Sequence, residues 1–358
     1  MCIQALKAKN PVKGLWGSGW QLTDSTDESL PSVDPAAFGF EERMAYMRTY
    51  GNHCMSFSTL QPGMEFFDVP GKGFIAHRPI WGAQLVLSDP VCDEKDREFI
   101  IRAFLQKYPN SAFIQITEPV AELMTRKFGC YATQFGIETR IDLEQWGLSG
   151  KKKQILRTAV NQAKKQNVVI RESMEDEKYH ELSDRWMTTR KIKNREVGFL
   201  IRPMDMTLDM EYLQETRKFF AHIGDELVGF IFFDPVYQSG EIVSYVPNIS
   251  RFSHAFRQGI FYAIMVHAME KFKKEGLKEL NLGLSMLVLD EKNREFESKT
   301  LKNIQRLVYR YGNWIYNFKG IEFTKSRFGG TENKFYCAHT RYLPVVKLLS
   351  VLKLSNVF

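Results

Sequence analysis

The chain has little of what marks the common enzyme classes. Its five cysteines in 358 residues (Cys2, Cys54, Cys92, Cys130 and Cys337) are odd in number, scattered, and form no C-x-x-C pair. That excludes a disulfide framework and a cysteine-based zinc site, and it fits a reducing compartment. No stretch approaches the roughly 18 apolar residues of a membrane span. The opening MCIQALKAKNPVKGLWGSGW is basic but lacks the apolar run of a secretion signal. The expectation is a cytoplasmic chain, able to sit peripherally on the inner face of a membrane. P-loop, dinucleotide fingerprint, Ser–His–Asp elbow and zinc motif are all missing. The seven histidines are isolated, and only His254 lies in a loop with other chemical candidates.

What is present is a soluble, basic composition: 44% hydrophobic, 25% charged, net charge +7 and a pI near 9.0. Such a balance favours acidic partners such as nucleic acid, anionic lipid heads or phosphorylated ligands. Residues 1–40 read as a polar lead-in containing DSTDESLPSVDP. From 41 to 150 strand and helix patterns alternate. Paired strands fall at Phe74–His77 and Gly82–Leu87, a helix capped by Asp93 runs to Lys107, and a strand–helix–strand series covers 112–143. The period-based reading therefore gives an α/β or α+β class.

A break at Leu148-Ser149-Gly150 precedes KKKQILRTAVNQAKKQN, a helix with Lys153, Arg157 and Asn161 at i, i+4 and i+8. Ordinary surface helices mix signs; this one has no acid, so an anion-facing role stands beside that of a solvated face. A second α/β unit spans 151–341, with helices expected at 176–191 and 212–220 and strands over 221–234 broken at Gly224-Asp225. Its most structured stretch is Ser244–Ser285: a strand, a loop carrying Asn248, Arg251, His254, Arg257 and Gly259, a long helix, and a strand with Leu280, Leu282 and Leu284 alternating with Glu279, Asn281 and Gly283. Free N–H groups at such a helix start favour an anion. A further helix is expected at 301–311, and 316–323 and 335–339 bracket FTKSRFGGTEN. The tail at 342–358 reads as an apolar helix with lysines on a narrow face, which either closes the core or lies in a lipid interface.

Taken in order, SDPV at 88, GIETRIDL at 136, LSGKKKQILRTAVNQAKK at 148, W-x-x-x-R-K with EVGF at 186–199, the N-x-x-R loop ending in Gly259, GLKELNLGLS at 276 and FKGIEFTKSRFGG resemble the C-terminal catalytic region of bacterial phosphatidylglycerol lysyltransferases. The resemblance covers about Tyr50 to Tyr342. It implies two fused GNAT-like lobes with a tunnel between them. It implies aminoacyl transfer from a charged tRNA, as co-substrate, to a lipid hydroxyl, without coenzyme A or metal. Arg251 matches an arginine of the family's loop motif, while Asn248 stands where the lipid-modifying members carry aspartate. An aminoacyl ester is already activated, so the enzyme must orient the acceptor and stabilise an oxyanion. On that basis Asn248 and Tyr245 are candidates to bond the acyl group or acceptor, and Arg251 and Arg257 to hold a phosphate. His254 is a candidate base. Lys153, Arg157 and Asn161 would guide RNA or a lipid head, and Glu138 would bind an α-amino group or form a strand-edge salt bridge. The alternatives are a soluble hydroxyl or amine acceptor, a coenzyme A-dependent N-acyltransferase, and a non-catalytic RNA- or membrane-binding module.

Overall fold

The computed structural model describes residues 37–189, 196, 198–204, 213–253, 257–312 and 316–356. His254 and most of the lead-in lie outside these residues, as do the side chains of Arg257 and Gln258. The chain builds two sheets. After helix α1 (Phe40–Tyr50) come β1 (Glu65–Val69), β2 (Gly73–Ile80), β3 (Ala83–Leu87) and β4 (Val91–Cys92). Helix α2 (Arg97–Lys107), β5 (Ser111–Thr117), α3 (Glu118–Phe128) and β6 (Tyr131–Asp142) complete the first half. Asp93 does cap, but it caps a short 3-10 turn at 94–96, accepting from Lys95 N at 3.1 Å, and α2 follows that turn. Helix α3 starts on Glu118-Pro119, where a missing N–H costs nothing, and stops at Gly129 with φ +60.

The second half runs α4 (Gln154–Lys165), β7 (Val168–Glu172), α5 (Tyr179–Thr188), β8 (Arg217–Ile223), β9 (Glu226–Gln238), β10 (Glu241–Phe252), α6 (Arg257–Lys274) and β11 (Glu279–Met286). It ends with α7 (Lys299–Tyr311), α8 (Phe318–Ser326), β12 (Thr331–His339) and α9 (Val345–Leu354). The helix expected over 212–220 is instead strand from Arg217. Phe219 and Phe220 pair with Ile231 and Phe230 of β9, and both rings are buried. Aromatic packing on a pleated surface overrides the short helical periodicity there.

The large sheet is eight-stranded, ordered β1-β2-β3-β5-β12-β6-β11 with β4 on β2; the small one is β10-β9-β8-β7. The mixed α/β class is as the sequence predicts. The boundary at 150 does not separate the sheets, because β11 and β12 both pair with β6 of the first half. Consecutive strands β10 and β11, joined by α6, therefore leave each other for different sheets and form a wedge. Each half has its own core. Phe67, Ile100, Phe104, Phe113, Met124 and Phe128 pack under α2 and α3, while Phe219, Ile231, Phe233, Ile264, Met265 and Phe272 lie between β8–β10 and α6. Each such side chain contributes about 1.5–3 kcal/mol by leaving water.

Candidate functional site

Between the two sheets runs the segment 53–61, every residue of which is buried. A buried connection must satisfy its polar groups internally. His53 does so by donating from Nε2 to Gln115 O at 2.7 Å while Nδ1 accepts from Met55 N at 2.9 Å. Burial holds this imidazole below its usual pKa, so it is neutral. Gln61 exchanges two hydrogen bonds of 2.9 Å with the backbone of Phe199. The segment thus forms a polar floor for the wedge.

Glu138 of β6 points into that wedge and is completely buried. Its carboxylate accepts from Arg140 Nε at 2.7 Å, Asn281 Nδ2 at 2.5 Å and Asn333 Nδ2 at 3.3 Å. Burial pushes its pKa up, but the Arg140 charge and the bonds from Arg140 and Asn281 outweigh that, leaving it below the ordinary value. The salt bridge expected of Glu138 exists, with Arg140, and it lies inside the seam instead of at an exposed edge. Asn281 and Gly283 follow suit. The alternation of β11 was expected to send them to solvent, yet both are buried, because the polar face of β11 looks into the wedge.

Lys325 enters the same space from α8. Its Nζ donates to Leu284 O at 2.8 Å. Desolvation lowers its pKa to about 8, against opposing effects from Cys54 and Glu138. The Cys54 thiol is driven well up by burial and by the neighbouring Glu138, so it is protonated. Gly283 takes up a left-handed backbone beside the amine: at φ +69, a Cβ here would crowd Val246 Cγ1 at 3.2 Å, with Lys325 Nζ at an ordinary 3.8 Å. Sequence reasoning singled out the segment containing Lys325 and the one containing Asn281, but as family landmarks. The signal for Lys325 was a lysine four residues before a Gly-Gly stop, which has no meaning until α8 is folded.

Asn248 lies at a bulge of β10, where the register shifts between Pro247 and Ile249. Its Nδ2 donates to Ser58 Oγ at 2.9 Å and Asp234 Oδ2 at 2.6 Å. Asp234 is in turn clamped by Arg202, with both residues nearly inaccessible and the ion pair at 2.6 Å. The amide is therefore a donor to an existing carboxylate. An aspartate at 248 would bring two carboxylates together. Arg251 is held by Glu196 at 2.6 Å and lies 4.1 Å over the Trp186 ring. A cavity of about 450 Å³ lined by His180, Ser183, Met187 and Glu196 adjoins this pair. Another, of about 280 Å³, opens beside His53, Asp89 and Arg97.

Other candidates stand elsewhere. Tyr245 is on the opposite face of β10, stacked on Phe272 at 5.1 Å inside the core, and burial raises its pKa. It does not join the seam because the strand alternates faces. Lys153 Nζ donates to Gly147 O at 2.7 Å, and Arg157 Nη1 donates to Leu148 O and Gly150 O at 2.6 and 2.8 Å. These two fasten the 147–150 loop; the exposed cations are Lys151, Lys152, Lys164 and Lys165, with Asn161 exposed beside them. Gly259 is in the first turn of α6, where a Cβ would sit 3.9 Å from Gln162 Oε1, so α4 covers that flank of the helix start.

Comparison with known proteins agrees with this architecture. The family model "Phosphatidylglycerol lysyltransferase, C-terminal" matches residues 44–339. Phosphatidylglycerol lysyltransferase of Bacillus subtilis (strain 168) is 24% identical over 300 residues, covering 80% of this chain and 33% of the relative. That of Staphylococcus aureus (strain COL) is 25% identical, covering 78% and 33%. The chain thus spans about a third of the length of these relatives. Among solved structures, L-PGS from Bacillus licheniformis superposes with a TM-score of 0.72 at 22% identity, covering 92% of this chain and 98% of the other. A C-terminal domain of a putative lysylphosphatidylglycerol synthetase from Agrobacterium fabrum gives 0.71 at 17%, covering 88% and 97%. With the match running from within α1 through β12 and the fold shared, the chain belongs to the phosphatidylglycerol lysyltransferase C-terminal family.

Proposed function

We propose that this chain transfers an aminoacyl group from a charged tRNA to the hydroxyl of phosphatidylglycerol, working peripherally at the cytoplasmic membrane face. The observation that carries the reading is Lys325. It is a desolvated amine facing Glu138, in a wedge built by segments that the family model spans.

In the reaction, the lipid hydroxyl oxygen attacks the ester carbonyl. A new C–O bond forms, the bond to the terminal ribose oxygen breaks, and the hydroxyl proton passes through an enzyme base to that leaving oxygen. Lys325, partly neutral near pH 8, takes this proton. Glu138, held by Arg140, Asn281 and Asn333, supplies negative charge to the amine's surroundings and toward an incoming α-ammonium. Asn248 and Asp234 with Arg202 form the second wall, and Arg251 swings from Glu196 to a phosphate when one arrives. The exposed lysines at 151, 152, 164 and 165 would meet the polyanionic acceptor arm.

Incubation with tRNAs charged with radiolabelled amino acids, plus phosphatidylglycerol vesicles, tests the reading. Label should move to the lipid fraction. Label that stays on tRNA with every amino acid and every phospholipid overturns it.

A further inference from the structure

Helix α9 is turned inside out. Two of its three polar residues face the protein: Lys347 and Ser350 are buried, Lys347 Nζ donates to Ser111 O beneath, and Lys353 is exposed. Its apolar residues face outward, with Val345, Val346, Leu349 and Leu352 between 41% and 51% exposed. Val351 and Leu354 pack inward, against the Leu85–Phe199 cluster, and Leu348 is half-buried. A helix whose only business was to close the core would be oriented the other way.

A second apolar stripe runs along α7. Ile304, Leu307, Val308 and Tyr311 fall at helical spacing and are 38–65% exposed. The two helices begin from one corner. Ser298, the N-cap of α7, donates to Tyr342 O, and the Tyr342 side chain, itself exposed, bonds Thr300. Tyr342 stands just ahead of α9. On its other side α7 rests on α8, the helix that carries Lys325, through Tyr309 to Glu322 and Lys319 Nζ to Arg310 O at 3.0 Å.

Charge names the occupant of this surface. Residues 299–312 contain no aspartate or glutamate, nor do residues 333–358. Lys299, Arg310, Arg341 and Lys353 are exposed around the stripes. A second copy would bring these cations against themselves, whereas an anionic bilayer accepts both the apolar stripes and their basic margins.

We propose that α7, Tyr342 and α9 form a docking face that inserts its apolar stripes into the boundary of an anionic bilayer and thereby carries Lys325 to the lipid headgroups. This rests on the lipid-acceptor reading above and adds to it the surface that meets the membrane.

The test uses the full chain and two double variants, Leu307→Ser with Tyr311→Ser and Val346→Ser with Leu349→Ser. Sedimentation is measured with vesicles of phosphatidylcholine alone and of an equal mixture with phosphatidylglycerol. Wild type should bind the mixed vesicles preferentially, and each double variant should bind them about tenfold more weakly, with unchanged thermal unfolding. Transfer to monomeric short-chain phosphatidylglycerol should persist in the variants while transfer to vesicles falls. Variants that bind and react like wild type on vesicles overturn the docking face and leave the transfer reading intact. A wild-type dimer by light scattering that the variants split also overturns it. Loss of vesicle binding in the variants, with no transfer by wild type to either lipid form, supports the docking face and removes the transfer reading instead.

Discussion

One desolvated lysine lies in the seam and another beneath α9. Lys325 and Lys347 both have pKa values lowered to about 8, in each case chiefly by burial. Their surroundings differ. Lys347 meets a backbone carbonyl, with the positive Arg341 nearby and no carboxylate bonded to it. Lys325 shares its space with Glu138, Cys54 and the amides of Asn281 and Asn333, brought together by β6, β11, β12 and α8. Desolvation alone thus does not mark a site; convergence of several elements around a desolvated group does. Substituting each lysine by methionine separates the two. Lys325→Met should lower aminoacyl transfer about a thousandfold, and Lys347→Met by less than about threefold. Equal losses would show that burial, not company, is what matters.

The comparison sharpens with pH. A lysine whose folded pKa is depressed binds its proton less tightly in the folded than in the unfolded state. Between about 8 and the unfolded value near 10.5 the unfolded chain holds more protons, so stability rises with pH across that window and the cost is greatest below it. Lys347→Met should therefore be more stable than wild type at pH 7 by on the order of 2 kcal/mol, after loss of the bond to Ser111 O. The advantage should vanish as pH approaches 10.5. Denaturant melts at several pH values measure this. Transfer by wild type should also rise as pH increases through about 8, as Lys325 loses its proton. Lys347→Met should retain that rise, and a flat profile would count against Lys325 as the base.

A third experiment alters company without altering burial. Asn248→Asp replaces the amide that donates to Asp234 Oδ2 at 2.6 Å by a carboxylate. The two like charges compete for Arg202, and the variant should lose about 1–2 kcal/mol of stability at pH 7. The loss should shrink in acid, where one carboxyl is protonated. Stability equal to wild type would mean that the wall of the seam tolerates an extra anion.

Much of this frame was legible in the sequence. The wedge-forming stretch Ser244–Ser285 carried its own turn, helix and strand signals, and Gly276 stops α6 at φ +90 as its position suggests. The α/β class followed from alternating periods. What periodicity could not convey was which face of a strand looks at solvent and which at another sheet. Asn281 and Gly283 alternate with leucines like any surface residues, yet they are buried because β11 leaves its neighbour β10 for the other sheet. Tyr245 erred in the opposite sense: three residues from Asn248 along the strand, it belongs to the core. Lys325 stayed hidden because its partners lie far from it in sequence, at 54 and 138. The tail's amphipathicity is visible in the sequence, but not that Lys347 and Ser350 turn inward.

The smallest effect contrasts the seam with the outer face of α4. On charge spacing alone, Lys153 and Arg157 stand out as the anion-binding stripe, yet each donates to carbonyls of the 147–150 loop, Lys153 through Nζ and Arg157 through Nη1. Lys164 and Lys165 remain exposed about two turns beyond Arg157. If RNA lies along this helix, Lys164→Glu with Lys165→Glu should weaken tRNA binding by up to about tenfold at low salt and flatten its salt dependence, because two phosphate contacts are lost. Arg157→Gln should change affinity by less than about twofold and act mainly by loosening the loop that Trp146 Nε1 anchors to Phe328 O at 3.0 Å. Filter binding of charged tRNA across a salt series distinguishes the two. A larger effect from Arg157→Gln would return the inner stripe to the RNA path, and would mean that the loop releases it when a stronger anion arrives.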